Sequence, residues 1–140
     1  MIRLALAALL AALATVAAAQ QTTTILRVLD GDTYTIAAPW LPPELGQTIS
    51  IRVLGIDTPE HGARAKCQDE AALADKATRF ATDKLRAAAS VAVQFHGWDK
   101  YGGRIDGDVM VDGVSIGTLL IAAGLARPYD GGTKSSWCGG

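Results

Sequence analysis

The chain has 140 residues, 13 Lys and Arg against 14 Asp and Glu, and two cysteines. A formal net charge of −1 excludes a protein that grips duplex nucleic acid by bulk charge, since such domains are basic overall. After the first 19 residues no low-complexity tract and no repeat at a period of roughly 20–50 residues is found, which excludes solenoids and fibrous arrays.

The first twenty residues read MIRLALAALLAALATVAAAQ, with one positive charge at Arg3, a Leu/Ala run, and small residues at Ala17 and Ala19 before polar QQTTT. This is the pattern of a secretory signal peptide, residues 1–19, cleaved after Ala19. A membrane span needs about 20 strongly apolar residues, and this Ala-rich run falls short. Residues 20–140 are then one domain, secreted to the medium or the periplasm, with no stable membrane insertion after cleavage. Loss of Arg3 leaves 12 basic and 14 acidic side chains, a net of −2. Export permits a disulfide, and Cys67 and Cys138 are the pair available for it. A zinc site is disfavoured, because neither cysteine has a Cys or His at ligand spacing.

Thr23 to Leu29 reads as a strand, Asp30-Gly31-Asp32 as a turn, and Thr33 to Ile36 as the returning strand of a hairpin. Ala37 to Gln47 carries Pro39, Pro42, Pro43 and Gly46 and reads as a loop. Ile49, Ile51 and Val53 alternate with Ser50, Arg52 and Leu54, so Arg52 points away from the apolar face. Asp57-Thr58-Pro59-Glu60 follows as a stiff corner, because Pro59 removes a donor and keeps Thr58 out of the helical region. Asp69 to Ala89 reads as the long helix, with Leu73, Ala77, Phe80, Leu85 and Ala88 on its apolar stripe. Val91, Val93 and Phe95 mark another strand; Ile105, Val109 and Val111 mark the next. Ser115 caps a short helix that Gly124 ends. Three strands, a helix, two strands and a helix predict an α+β domain, a small five-stranded Greek-key barrel of the oligonucleotide-binding (OB) type.

Four blocks in this order, VLDGDT (Val28 to Thr33), IRVLGIDTPE (Ile51 to Glu60), DKYGGR (Asp99 to Arg104) and AAGLARPY (Ala122 to Tyr129), resemble the staphylococcal nuclease (thermonuclease) family over nearly all of residues 20–140. The resemblance implies an SNase-like OB-fold, order β-β-β-α-β-β-α, that hydrolyses phosphodiester bonds of DNA or RNA with Ca2+ as a monomer. It assigns Asp32 and Asp57 as calcium carboxylates, with the Thr58 carbonyl as a backbone ligand; oxygen-only ligation suits calcium. Glu60 matches the glutamate that orients or deprotonates water, and Arg52 and Arg104 match the two phosphate-gripping arginines. Lys100, Tyr101 and Tyr129 resemble substrate-binding positions. Two departures stand out. Gly102 and Gly103 both intervene before Arg104 where the family commonly has one glycine, and the chain ends in GGTKSSWCGG soon after Tyr129.

Each residue also has an ordinary structural alternative. Asp32 could be a turn former, Asp57 and Glu60 caps of the next segment, Arg52 and Arg104 exposed strand residues, and Tyr101 and Tyr129 core-edge aromatics. Two other function classes compete with the secreted nuclease: a non-catalytic OB-fold envelope protein that binds nucleic acid or nucleotides, and an interaction protein in which calcium is structural. The first would be expected to lack the acidic and basic site residues, all of which are present here. The second predicts metal-dependent melting without metal-dependent cleavage.

Overall fold

A computed structural model describes residues 20–139; the expected signal peptide, residues 1–19, lies outside them. The expected hairpin forms from β2 (Ile25–Val28) and β3 (Thr33–Ala37), closed by a Leu29 N–H bond of 2.9 Å to the Thr33 carbonyl. A three-residue strand, β1 (Gln20–Thr22), precedes it and pairs instead with β6 (Val91–Trp98). β3 runs antiparallel to β4 (Thr48–Val53), and β4 runs parallel to β7 (Arg104–Val111). The resulting mixed sheet has the order β1-β6-β7-β4-β3-β2 and curls into a half-barrel, an SNase-like OB-fold of the α+β class. Five main strands match the expected five. The others, β5 (Ile56–Asp57), β8 (Val114–Ser115), β9 (Arg127–Pro128) and β1, are two or three residues long.

Tyr34, Ile36, Ile51, Val53, Val93 and Val109 fill the concave side of the sheet, with Ile116 and Leu120 of α2 (Ile116–Ala122) packed on them. Ser115 caps α2 by accepting from the Gly117 N–H. α1 (Gln68–Ala87) occupies the position expected for the long helix, but its buried line is Ala74, Ala77 and Ala81, while Leu73, Phe80 and Leu85 are only half-buried. The reason is close approach. A Cβ on Gly31 would stand 3.2 Å from the Ala77 Cβ and 2.8 Å from Thr58 Cγ2, so the helix meets the Asp30–Asp32 turn where only small side chains fit.

The central strand also ends earlier than its alternation suggests. β4 stops at Val53, Gly55 turns the chain at φ +80°, and Ile56–Asp57 restart as β5 against β9. The DTPE corner therefore begins from a separate short strand rather than from the end of β4. Cys67 and Cys138 are bonded, with Cα atoms 6.0 Å apart, across a separation of 71 residues. Among the described residues no helix is long and apolar enough to cross a membrane.

Two measurements test this packing. Gly31→Ala should lower stability by ~1–3 kcal/mol, as overpacking of a close contact does, whereas Gly103→Ala should be nearly neutral, since a Cβ there meets nothing within 4 Å. Equal denaturation midpoints for the two variants would rule out the Gly31 approach as a constraint. Reducing the disulfide should cost about 4 kcal/mol on the chain-entropy account, read as the shift in urea midpoint with and without reductant.

Candidate functional site

Gly31 brings the first two carboxylate-bearing turns into contact. The Val53 N–H donates to the Asp32 carbonyl at 2.8 Å, and Thr33 lies opposite Arg52 in the β3–β4 ladder. Arg52 consequently reaches Asp32, Nη2 to Oδ2 at 3.3 Å, and the Thr33 hydroxyl donates to Asp32 Oδ1 at 3.0 Å. Asp32 is almost wholly enclosed. Burial pushes its carboxyl up to about 6, against the lowering pull of Arg52, and the neighbouring Asp30 carboxylate adds to the rise.

The DTPE corner is fixed from below by a residue that periodicity did not single out. Glu70, in the first turn of α1, is buried and accepts the Glu60 N–H at 3.2 Å and the Lys66 N–H at 2.7 Å. A buried carboxylate is tolerable when backbone donors satisfy it. Asp57, Thr58 and Pro59 are buried, and Glu60 is half-buried. Arg64 ties the two turns together, with Nε 3.2 Å from Glu60 and Nη2 3.4 Å from Asp30.

The C-terminal tail completes this corner. The Trp137 indole N–H donates to Asp57 Oδ2 at 3.0 Å, and the Lys134 ammonium lies 2.7 Å from Asp57 Oδ1 and 3.9 Å from Glu60. The Lys134 contact is a close ion pair, and it is the one polar partner of Asp57 Oδ1 among the described residues. Partial burial works against the Lys134 charge, but the Asp57 carboxylate outweighs it and holds the ammonium above the usual lysine range.

Arg104 lies on the same face of the sheet as Arg52. In the parallel β4–β7 ladder Arg104 is opposite Ser50, and Arg52 is opposite Asp106, an offset of two residues or about 7 Å at the usual strand rise. The extra glycine is absorbed in the turn, where Gly102 takes φ +76°. Asp99 then anchors Arg104: one carboxylate oxygen accepts the Tyr101 and Gly102 N–H groups, the other the Arg104 Nε at 3.1 Å. Lys100 and Tyr101 are exposed on this turn, the ammonium 5.1 Å from the ring centroid. Tyr129 is tied by its N–H to the Gly55 carbonyl and by its hydroxyl to the Gly132 carbonyl.

The candidate residues are thus neighbours divided among adjoining depressions. Asp57, Thr58 and Glu60 line one of about 230 Å³ with Arg64 and the tail; Tyr101 and Arg104 line another with Arg64 and Asp30; Arg52 and Tyr129 line a third with Asp130 and Gly131. A larger depression, about 570 Å³ between β2 and α1, contains none of them. Sequence reasoning missed Arg64, Glu70, Asp99, Lys134 and Trp137. Only the expected Cys67–Cys138 bond hinted that the tail returns to the start of α1, and through it to this corner.

The donor set fits a hard cation. Asp32, Asp57 and the Thr58 carbonyl offer oxygen alone, and the Asp57 oxygen that meets the Lys134 ammonium already draws a positive charge. Among the described residues, the group of His, Cys, Asp and Glu close enough to share an ion is Cys67, Glu70 and Cys138. Its sulfurs are in the disulfide and its carboxylate holds backbone N–H groups, so it has no free ligand to give. A cation at Asp32 and Asp57 would draw its remaining ligands from the Thr58 carbonyl and water.

The Asp32 carboxyl makes a pH signature. It keeps its proton up to about pH 6 when folded but loses it near the usual 3.8 when unfolded, so the native state holds more protons between those values. Its contribution to stability falls as pH rises from about 4 to 6 and is level outside that window. In chelator, Asp32→Asn should raise the thermal midpoint at pH 7, by up to about 3 kcal/mol of stability, with the difference vanishing near pH 4. A variant less stable than the wild type at pH 7 would mean that the Arg52 ion pair outweighs burial.

Two comparisons bear on this arrangement. Residues 50–136 match the family model described as Staphylococcal nuclease homologue. A protein of Escherichia coli described as an uncharacterized endonuclease is 32% identical over 110 residues, covering 76% of this chain and 60% of that protein. The chain therefore spans less than two thirds of the length of that relative. The family match extends from the strand bearing Arg52, through the DTPE corner and Arg104, to the tail residue before Trp137, and on that extent the chain belongs to the staphylococcal nuclease homologue family.

Proposed function

We propose that this protein is a calcium-dependent nuclease that hydrolyses phosphodiester bonds of DNA or RNA, exported by its N-terminal leader and acting as a monomer. The observation that carries the reading is the meeting of two acidic turns beside a strand arginine: Asp32 paired with Arg52, and Asp57 with one oxygen against the Lys134 ammonium. Family membership and the relative described as an endonuclease support it. A calcium ion held by Asp32, Asp57 and the Thr58 carbonyl would supply positive charge to a phosphate oxygen and an ordered water beside Glu60. With a net charge of −2 for residues 20–140, local cations must attract the polyanion, and Arg52, Arg64, Lys100 and Arg104 supply them.

Glu60 is the group that would orient or deprotonate the attacking water, its carboxylate held by Arg64. Arg52 and Arg104 would stabilise the extra negative charge on phosphorus in the transition state, which requires donors already in position. Both are anchored by aspartates before substrate arrives, Arg52 by Asp32 and Arg104 by Asp99. Tyr101 with Lys100, and Tyr129, would contact the nucleotide. The presence of both acidic residues and both arginines weighs against a purely binding relative of the fold.

Incubating residues 20–140 with single-stranded DNA and RNA, in calcium and in chelator, tests the reading; cleavage is expected in calcium alone. Equal degradation in chelator would refute the calcium requirement, and none in either would refute the nuclease. Glu60→Gln should lower kcat with substrate binding roughly kept. Arg52→Lys and Arg104→Lys lose the planar fork and should each cost ~3 kcal/mol, on the order of a hundredfold in rate. Near-normal rates in both Glu60→Gln and Arg52→Lys would sink this division of roles.

A further inference from the structure

Both oxygens of the Asp57 carboxylate face the C-terminal tail, and one of them faces a cation. Lys134 lies 2.7 Å from Oδ1, and Trp137 donates to Oδ2. The same ammonium is 3.9 Å from Glu60, so it stands between the two carboxylates of the corner. The next residue after Trp137 is Cys138, bonded to Cys67 at the N-cap of α1. A second tether lies upstream, where Tyr129 is bonded to the Gly55 carbonyl. Within the tail the Arg127 guanidinium sits 3.7 Å from the Trp137 ring centroid and donates to the Ser136 carbonyl. Lys134 is therefore carried on a short strap tied down at both ends.

From this we infer that the strap is an internal competitor for the cation site: Lys134 holds Asp57 in the absence of a divalent cation and must withdraw before one can bind there. The inference rests on the cation reading of Asp32 and Asp57. A divalent cation and an ammonium at contact distance from one carboxylate oxygen repel each other, and this repulsion disfavours holding both. The disulfide sets the strength of the competition. A tethered ammonium acts at a high effective concentration beside Asp57, whereas a free tail would compete weakly. A half-exposed lysine can be displaced, since an ion pair of this exposure is a weak one.

Calorimetric titration with calcium, with no nucleic acid present, tests the competition independently of cleavage. Lys134→Met keeps most of the length of the side chain and removes its charge, and should tighten calcium binding by roughly three- to fivefold, the upper range of a partly exposed ion pair. Lys66→Met is the control: Lys66 lines the same depression, and the variant makes the same change of charge without removing an Asp57 contact. It should leave affinity within about twofold. Replacing both cysteines by serine should tighten binding in the wild-type background and add nothing to Lys134→Met, the coupling expected if both act through one contact. Equal shifts in Lys66→Met and Lys134→Met would reduce the effect to general charge and overturn the strap. Unchanged affinity in Lys134→Met would overturn it outright, as would failure of every form to bind calcium. A chain that binds calcium more tightly as Lys134→Met but cuts no nucleic acid would support the strap and refute the nuclease.

Discussion

The absence of a side chain at Gly31 is the constraint on which the site depends. The turn that carries Asp30 and Asp32 lies against Thr58 and Ala77, at distances where a Cβ would collide. Asp32 belongs to the first hairpin and Asp57 to a separate short strand. The two turns meet because Gly31 packs against Thr58, with Ala77 of α1 closing over the contact. The alanine line of α1 serves the same purpose: a larger residue at Ala77 would lift the helix from the turn. Packing of this density transmits small displacements rather than absorbing them, so a group far from Asp57 can still set its position.

Holding so many carboxylates together requires compensation, and the fold supplies it in different ways. Glu70 is satisfied by backbone N–H groups and serves as scaffold. Asp99 is satisfied by a turn and by Arg104. Asp32, Asp57 and Glu60 instead have charged side chains, Arg52, Lys134 and Arg64, among their partners, and Asp30 has Arg64 beside the Asp32 N–H. The distinction matters for function. A carboxylate tied to backbone cannot easily change partners, whereas one tied to a long, partly exposed cation can exchange it for a metal ion or release the cation toward a phosphate. Burial of Asp32 sharpens the contrast, because its ionised form is poorly solvated and is stabilised by whatever positive charge is near.

The parallel pairing of β4 with β7 places Arg52 and Arg104 on one face, two residues out of register. Parallel neighbours require a long crossover, and here α1 and β6 provide it. The intervening residues therefore do two jobs. They build the helix that packs on the acidic turns, and they return the chain so that Arg104 arrives beside the strand of Arg52. The additional glycine before Arg104 does not disturb this, because the turn is closed by Asp99 and the ladder resumes at Arg104.

Local pattern in the sequence determined the hairpin around Asp30–Asp32, the alternation that directs Arg52 away from the core, the stiffness of the corner at Pro59, the long helix, the Ser115 cap and the choice of Cys67 and Cys138 as partners. Each depends on residues close together in the chain, or on a count of two cysteines, and each is visible without knowing what packs on what. The four motif blocks marked out the candidate residues for the same reason. Tertiary structure alone decided that β4 stops at Val53, that β4 and β7 are parallel, that alanines rather than leucines form the buried line of α1, and that Glu70 is a buried scaffold. It alone brought Arg64, Lys134 and Trp137 to the acidic corner. These outcomes are set by contacts between residues up to 80 positions apart, and in the sequence a lysine in a glycine- and serine-rich tail looks the same whether it faces solvent or a buried aspartate.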